Sequence, residues 1–564
     1  MNPHGEHLSH TRWNISPPIH SDQAILSDVS PLILQLLYNR GISDPAEIER
    51  FLHVDDRSIF DPFLLSDMEE AVTRTQWAIQ FGRKIAIYGD FDADGITATA
   101  LLVEGLSALG ADVIPYIPNR LTDGYGLRTD ALDKLRQQDV GLIITVDNGI
   151  TAIDEVDYGM AIGIDIIVTD HHIPLNTLPK ASAVINPKRI DSRYPFADLA
   201  GVGVAWKFLQ AMRKRCGLVE GDDSFLDLVA IGTVADMMPL VSENRYWIKR
   251  GLEIINTTKR LGLQEMFQCA GIKPGLIETS TISWSIGPRI NAAGRIDSAT
   301  TSYKLLLTRD GDEAKRLASD LEIKNAERLQ MTTDLQKRAR EQIIVEGTDR
   351  WLLMAGDCDY PEGITGLVAG RLADEFYRPV ILMTVGQEST RGSGRSIREF
   401  NIMAALEQNA DILLKFGGHK RAAGFTITTA NLDALKQRLY NQACRELSSL
   451  DLRPHIDVDA DIPLSLCGGD TFSQIQRLAP FGFGNPVPVF LSRRVQVIEA
   501  KAVGVQESHL RMRVKDNGVV WDVMGFGLGD HLKEVSKGID IVYSMEIDRW
   551  NGEEKLRLKL LDFS

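Results

Sequence analysis

The chain has 564 residues, a formal net charge of −15 at pH 7, 44% hydrophobic and 25% charged residues, and a mean hydropathy of −0.10. That composition excludes wholesale disorder, a collagen-like repeat and a multi-span membrane protein, and the length suggests several domains. A surface this acidic cannot coat nucleic acid indiscriminately, so any strand it binds must follow a locally basic path.

The opening stretch MNPHGEHLSHTRWNISPP lacks the apolar run of a secretory signal. His4, His7 and His10 sit among Pro3, Gly5 and polar residues, which suggests a flexible tail rather than a metal site. SPLILQLLYNRG then adds an apolar helical stretch. From residue 83, short apolar runs alternate with helical ones. RKIAIYG (83–89), DVIPYIP, GLIITV (141–146) and DIIVT (165–169) read as strands. TATALLVEGLSALG, ALDKLRQQ and AIDEVDYGMAIG read as the helices between them. This spacing predicts a Rossmann-like parallel sheet, whose ligands bind beyond the carboxyl ends of its strands.

Residues 224–262 read as buried helix. Residues 310–345 are dense in charge with apolar residues at 317, 321, 329, 335 and 343, as in a long solvent-exposed helix joining two domains or a surface helix within one. RWLLMAG, ITGLVAGRLADEF and PVILMTV begin a second α/β pattern. From about residue 450, five β-type runs with turn signals at 516–518 and 551–552 predict a small OB-like β-barrel. There Arg511, Arg513, Lys515, Lys555, Arg557 and Lys559 could track a strand, and Trp521 and Trp550 could stack on bases or pack the barrel. The expected division is therefore a tail and helical region (1–70), a parallel-sheet domain (71–310), a linking helix (311–346), a second α/β domain (347–450) and the barrel (451–564). The five cysteines are scattered without any C-x-x-C spacing, which reads as reduced thiols and a cytoplasmic protein. No apolar run approaches the ~18–20 residues that span a bilayer.

The densest chemistry lies in YGDFDADGIT (88–97), where Asp90, Asp92 and Asp94 alternate directly after a strand. In extended or turn geometry alternate side chains point one way, and three such carboxylates repel unless cations neutralise them. A calcium loop fails, because position 12 from Asp90 is Leu101 and not a glutamate. Asp147 follows a second strand, Asp170, His171 and His172 follow a third, and Asp236 ends a helix. Mixed carboxylate and imidazole ligands suit Mn²⁺ or Mg²⁺. So many ligands would fit two ions sharing an aspartate, as in sites for in-line phosphoryl displacement.

Taken in order, D-F-D-A-D-G, N-R-x-x-D-G-Y-G-L (119–127), T-V-D-N-G-I, D-H-H and G-G-H-x-x-A-A-G (417–424) resemble the DHH phosphoesterase superfamily over about residues 70–564. Within it, the nearest likeness is to the bacterial 5′→3′ exonucleases of single-stranded DNA. The resemblance implies a DHH domain, a DHH-associated domain and an OB-like domain. It implies that Asp92, Asp94, Asp147, His171 and Asp236 ligate the metals, with Asp147 the bridge and Asp90 a further ligand or a carboxylate behind them. His172 would contact the scissile phosphate or orient its neighbours, and Asp170 would hold a histidine in one tautomer. Substrate binding would fall to Arg120 and Tyr125, to Arg289, Asn291 and Arg295 of IGPRINAAGR, to Ser393, Arg395 and Ser396 of the glycine-rich RGSGRS, and to His419 and Arg421.

The implied activity is metal-dependent degradation of single-stranded DNA to mononucleotides in repair and recombination, by a cytoplasmic monomer with no membrane role. A helicase and a single-strand-binding protein are the implied partners. Two other readings stay open. One is a DHH-type phosphodiesterase of short oligonucleotides or cyclic dinucleotides, which would not need the barrel. The other is a non-catalytic nucleic-acid-binding factor, which would not need every ligand position filled.

Overall fold

The computed structural model describes residues 11–19, 29–120, 123–124, 126–218, 223–549 and 554–564. His4, His7, His10, Tyr125, Trp550 and the 551–552 turn signal lie outside the described residues. The chain divides into two compact units: Phe60–Met238 with Arg250–Leu452, and the stretches up to Ile59, Pro239–Lys249 and from Arg453.

The first unit contains a five-stranded parallel sheet in the order Val113–Tyr116, Lys84–Tyr88, Val140–Val146, Asp165–Thr169, Ala183–Ile185. Ile85, Ala86, Ile87, Ile143, Ile144, Ile166 and Val168 are fully buried. Burial on both faces explains why these strands read as unbroken apolar runs. The fifth strand has only three residues and was not anticipated.

Of the extended and turn geometries that the spacing allows, the alternating aspartates take the turn. The strand ends at Tyr88, and the helix Ala93–Ala108 begins five residues on. Asp90 lies in the turn, Asp92 is the N-cap accepting from the amides of Asp94 (3.0 Å) and Gly95 (3.1 Å), and Asp94 opens the first helical turn. The carboxylates converge because the chain folds back on itself here. A Cβ on Gly95 would lie 2.6 Å from the Asp90 nitrogen, so only glycine lets the turn close.

Residues 224–262 form the helices Leu226–Ala235 and Ser242–Ile255 and the start of Leu261–Ala270. The linking helix runs Gly311–Glu346, capped by Asp310, and its 36 residues span about 54 Å. It is not exposed all round. Leu317, Leu321, Leu335, Ala339 and Ile343 are buried, and Asn325, Arg328 and Thr332 continue the same stripe. Leu329 is exposed, and Arg328 beside it takes the inward position.

Beyond the linking helix a second sheet has the order Leu413–His419, Ala422–Thr428, Ser389–Arg395, Val380–Val385, Leu353–Asp357. The last pair is parallel, with the helix Glu362–Phe376 as its crossover, and the others are antiparallel. RGSGRS therefore lies mostly within a strand, and GGHKRAAGF forms a strand pair. The glycines serve packing: a Cβ on Gly392 would lie 2.2 Å from the ring of Phe425, its cross-strand partner.

In the second unit, the strands Phe490–Val503, His509–Asp516, Val519–Gly525, Lys555–Phe563 and Gly538–Asp548 pair in that order, and the first closes onto the last as a barrel. Asn517 and Gly518, at φ 47° and 89°, make the tight turn predicted from Asp-Asn-Gly. The helices Pro31–Asn39 and Pro45–Leu52 add Ile33, Leu36, Leu37 and Phe51 to the barrel core around Phe490, Met512 and Tyr543. Strand Arg12–Ile15 pairs in parallel with His455–Val458. The Trp521 indole donates to the Leu464 carbonyl at 3.1 Å and packs on the core, which favours its packing role. All five cysteines are free. Among the described residues no helix is long and apolar enough to cross a membrane.

Candidate metal centre

Beyond the carboxyl ends of the parallel strands, three groups of side chains each bring their ligand atoms within 4.8 Å of one another: Asp90, Asp92 and Asp147; Asp147, His171 and His172; and Asp94, His171 and Asp236. Asp147 and His171 each belong to two groups. His171 Nε2 lies 3.0 Å from Asp147 Oδ1, 3.6 Å from Asp236 Oδ2 and 3.7 Å from Asp94 Oδ2. Asp147 sits in left-handed backbone at φ 62°, immediately after the strand Val140–Val146. Asp94 is held from behind: the amides of Gly201 and Val202, at the start of the helix Gly201–Arg215, donate to its two oxygens at 2.6 and 2.8 Å. Asp236 is the C-cap of the helix Leu226–Ala235.

Burial and mutual repulsion dominate the electrostatics. Burial, then the Asp92 charge, raises Asp90 well above the usual carboxylate range and Asp94 to about 7. Burial, then the Asp94 charge, raises Asp147 and Asp236 well above it too. Burial and the neighbouring His172 push His171 down to about 3, so its imidazole is neutral, as ligation requires. Asp236 Oδ2 is buried and has no hydrogen-bond partner. An unpaired buried oxygen among mutually repelling carboxylates and a neutral imidazole is the donor set a divalent cation satisfies.

Asp170 stands behind this cluster. Its Oδ1 accepts from the amides of His171 (2.7 Å) and His172 (3.1 Å) and from His172 Nδ1 (2.8 Å), and its Oδ2 accepts from the Ile150 amide (2.9 Å). Burial opposes the charges here, but the bond between them wins: Asp170 lies below its usual value and His172 is pushed up to about 9. The two form an ion pair at neutral pH, with the His172 ring fixed from one side.

Of the other expected residues, Arg120, Arg295 and Arg395 come together. The Arg120 guanidinium lies 4.9 Å from the Phe91 ring centre. Arg295 is pushed down to about 9 by burial and by the charges of Arg120 and Arg328. Burial and Arg120 also lower Arg395. Ser393 Oγ lies 3.3 Å from Thr365 Oγ1, on the strand that carries Arg395. His419 is held below its usual value by packing and by the charges of His172, Lys188 and Arg395, which puts the second sheet's edge beside the cluster.

Four other expected residues make bonds within the protein. Asn291 Oδ1 accepts from the Ala93 amide at 2.7 Å and so braces the acidic turn. Arg289 pairs with Glu322 of the linking helix at 2.6 and 3.1 Å. Ser396 donates to the Phe400 carbonyl, and Arg421 Nε donates to the Ser396 carbonyl at 2.8 Å. Sequence reasoning passed over the Gly201–Val202 amides, Arg328 and Trp284. Trp284, 83% exposed, projects from a π-helical turn (Ile282–Ile286) that runs into the helix Gly287–Ile296 bearing Asn291 and Arg295. The Gly-Val-Gly start of its helix was a readable signal for the first; the others had none.

Comparison with known proteins agrees with this layout. Residues 84–233 match the DHH family N-terminal domain, 350–445 the DHHA1 domain and 458–562 the RecJ OB domain. The chain is 36% identical over 561 residues to the single-stranded-DNA-specific exonuclease RecJ of Bacillus subtilis, covering 98% of this chain and 71% of that protein. To the protein of the same name from Escherichia coli it is 33% identical, covering 94% and 95%. The crystal structure of RecJ with Mn²⁺ from Thermus thermophilus is similar with a TM-score of 0.84 at 30% identity, covering 98% of this chain and 79% of that one. The Mg²⁺ complex from the same source gives 0.78 at 29%, covering 98% and 78%.

Proposed function

Because the chain belongs to the RecJ family of single-stranded-DNA-specific exonucleases, we propose that it hydrolyses single-stranded DNA from the 5′ end to mononucleotides, with Mn²⁺ or Mg²⁺ as cofactor. The observation that carries this reading is the placement of three overlapping ligand groups beside three converging arginines. Asp90, Asp92, Asp94, Asp147, His171 and Asp236 would hold two divalent ions, with Asp147 shared. Such ions supply Lewis-acid activation of water and neutralise charge on the phosphate.

The chain's own groups do the rest. Asp170 fixes the His172 ring, so that a protonated imidazole faces the position of the scissile phosphate and can stabilise its added negative charge. Arg120, Arg295 and Arg395 offer planar donor forks to the phosphates of the strand's end, with Ser393 and His419 alongside. The amides of Gly201 and Val202 keep Asp94 in place. On this reading residues 71–310 carry the chemistry, 347–450 the terminal nucleotide, and 451–564 guide the strand. The work would be repair and recombination in the cytoplasm, by a monomer, on strands opened by a helicase and carried by a single-strand-binding protein.

The test is hydrolysis of 5′-labelled and 3′-labelled single strands in Mn²⁺. Labelled mononucleotide should appear at once from the 5′ label and last from the 3′ label, and Asp147→Ala should abolish both. A fully active Asp147→Ala protein, or one that degrades dinucleotides but not long strands, would refute the proposal.

A further inference from the structure

Asp236 is held differently from its neighbours in the acidic cluster. Asp92 and Asp94 each accept from two backbone amides, whereas Asp236 Oδ2 is buried with no hydrogen-bond partner. Its place therefore depends on the backbone that carries it. On one side is the helix Leu226–Ala235. On the other the chain closes that helix with paired bonds, from the Met237 amide to the Val234 carbonyl (3.2 Å) and from the Met238 amide to the Thr233 carbonyl (3.1 Å). Met237 sits in left-handed backbone at φ 57°, a place that glycine usually takes, and its side chain is 65% exposed. Packing of that side chain does not hold the turn, so the anchor lies further along the chain.

Pro239–Lys249, which follows at once, belongs to the barrel unit. There the Leu240 amide donates to the Phe483 carbonyl at 2.8 Å, and Asn244 Nδ2 donates to the Pro239 carbonyl at 3.0 Å. Arg245 is 2% exposed and spends its whole donor fork on backbone: Nε on the Phe51 carbonyl (3.1 Å), Nη1 on Leu478 (2.7 Å) and Nη2 on Arg477 (3.1 Å). Its guanidinium also lies 4.0 Å from the Phe51 ring centre. These carbonyls stand at or just past the ends of the helices Pro45–Leu52 and Asp470–Gln476, which otherwise lack partners for their last carbonyls. A buried cation held only by carbonyls is an expensive way to fill space, but a rigid way to tie three stretches of chain together. The facing loop leaves no slack. A Cβ on Gly484 would lie 2.7 Å from Pro239 Cβ, and one on Gly482 would lie 2.6 Å from Leu240 Cδ1. We propose that the barrel unit places Asp236 through the chain itself, with Arg245 as the positioning residue: by fixing Pro239–Arg245, it sets where the Asp236 carboxylate meets a divalent ion. The inference rests on the reading of Asp236 as a metal ligand. It gives the barrel unit a part in metal affinity besides any part in guiding the strand.

The alternative is that Arg245 only stabilises the barrel unit. Two variants disturb the segment by different routes. Arg245→Lys keeps the charge but cannot reach three carbonyls at once, and Gly484→Ala presses on Pro239. Gly41→Ala is the control: it lies in the same unit at φ 78°, close to the 75° of Gly484, and its Cβ meets nothing within 4 Å. The experiment uses the full chain without DNA and titrates Mn²⁺, following the free ion by its paramagnetic resonance signal, with thermal midpoints taken in EDTA. Arg245→Lys and Gly484→Ala should each bind Mn²⁺ about tenfold more weakly, the scale of losing support behind a metal ligand. Gly41→Ala should melt lower in EDTA yet bind Mn²⁺ as wild type does. In an Asp236→Asn background neither variant should weaken binding further, because changes that act through one group do not add. If Gly484→Ala does not fold, Arg245→Lys carries the test by itself. Wild-type Mn²⁺ binding in the folded variants, an equal loss in Gly41→Ala, or a full further loss in the Asp236→Asn background would overturn the inference alone. Asp236→Asn binding Mn²⁺ as wild type does would overturn the ligand reading, and the inference with it.

Discussion

A single methyl group placed behind Asp147, the proposed shared ligand, should disable the centre while leaving the protein folded. A Cβ on Gly201 would lie 2.6 Å from Asp147 Cβ, 2.9 Å from its Cγ and 3.0 Å from its Cα. Carbon atoms sit comfortably at ~3.5–4.0 Å, so something must move by about 1 Å. Asp147 has little freedom to yield, since it is buried and held at φ 62°. The alternative, retreat of the helix start, would withdraw the two amides from Asp94. Either way a proposed metal ligand shifts. Overpacking of this kind costs about 1–3 kcal/mol in stability. Misplacement by ~1 Å costs on the order of a hundredfold in rate. Gly201→Ala should therefore remain folded by circular dichroism, hydrolyse 5′-labelled single strands about a hundredfold more slowly, and need more Mn²⁺ for half-maximal rate. Gly311→Ala is the control, because a Cβ there meets nothing within 4 Å and alanine suits a helix. A Gly201→Ala enzyme within threefold of wild type at an unchanged metal requirement would refute the reasoning.

Without metal, stability should fall as pH rises from about 4 through 7. Asp90, Asp94, Asp147 and Asp236 titrate higher in the folded chain than the ~3.9 of an unfolded aspartate, Asp94 at about 7, so folding retains protons that unfolding releases. His171, held neutral, works the other way below its unfolded value, but one imidazole does not reverse four carboxylates. Thermal midpoints in EDTA and in Mn²⁺ across this range check the sign, and an EDTA midpoint that climbs with pH contradicts it. Trp284→Ala, made in the inactive Asp147→Ala background, should weaken single-strand binding by about 1–3 kcal/mol if the exposed ring stacks on a base. Unaltered anisotropy titrations would show that it does not.

The parallel sheet was legible because strands buried on both faces cannot alternate, and each run stopped at a charged or polar residue that marks the ligand end. Ala183–Ile185 was not, since three residues hold no period. RGSGRS resembled a loop because glycine usually marks one. Here glycine clears space for Phe425 and Ile402, which only tertiary contacts reveal. The candidate metal ligands stood out by residue type and position, but the spacing did not choose between an extended and a turned backbone: an N-cap and a helical turn gather Asp92 and Asp94. Within IGPRINAAGR the motif did not show that Arg295 lies with the arginine group while Asn291 bonds to the Ala93 amide and Arg289 to Glu322. Arg328 looked like one more charge on an exposed helix, since burial of a charged side chain leaves no trace in local sequence.

The unit containing the barrel draws on both ends of the chain, and this has a consequence for biosynthesis. Asn14 bonds to Asp457 across a separation of 443 residues, and the strand holding Asn14 has no other strand partner among the described residues. At about 5–20 residues per second, the ribosome would complete that partner roughly 20–90 s after the first strand emerges. During that interval the apolar faces of Pro31–Asn39 and Pro45–Leu52 lack the barrel residues they pack against. Such surfaces are what chaperones hold. The two α/β sheets, built from nearer neighbours in the chain, can form earlier. Closure of the barrel unit therefore comes last, and a chain that stops early keeps the acidic cluster but exposes an unfinished core to proteolysis. The pairing of Arg12–Ile15 with His455–Val458 thus ties closure of this unit to residues made hundreds of positions later.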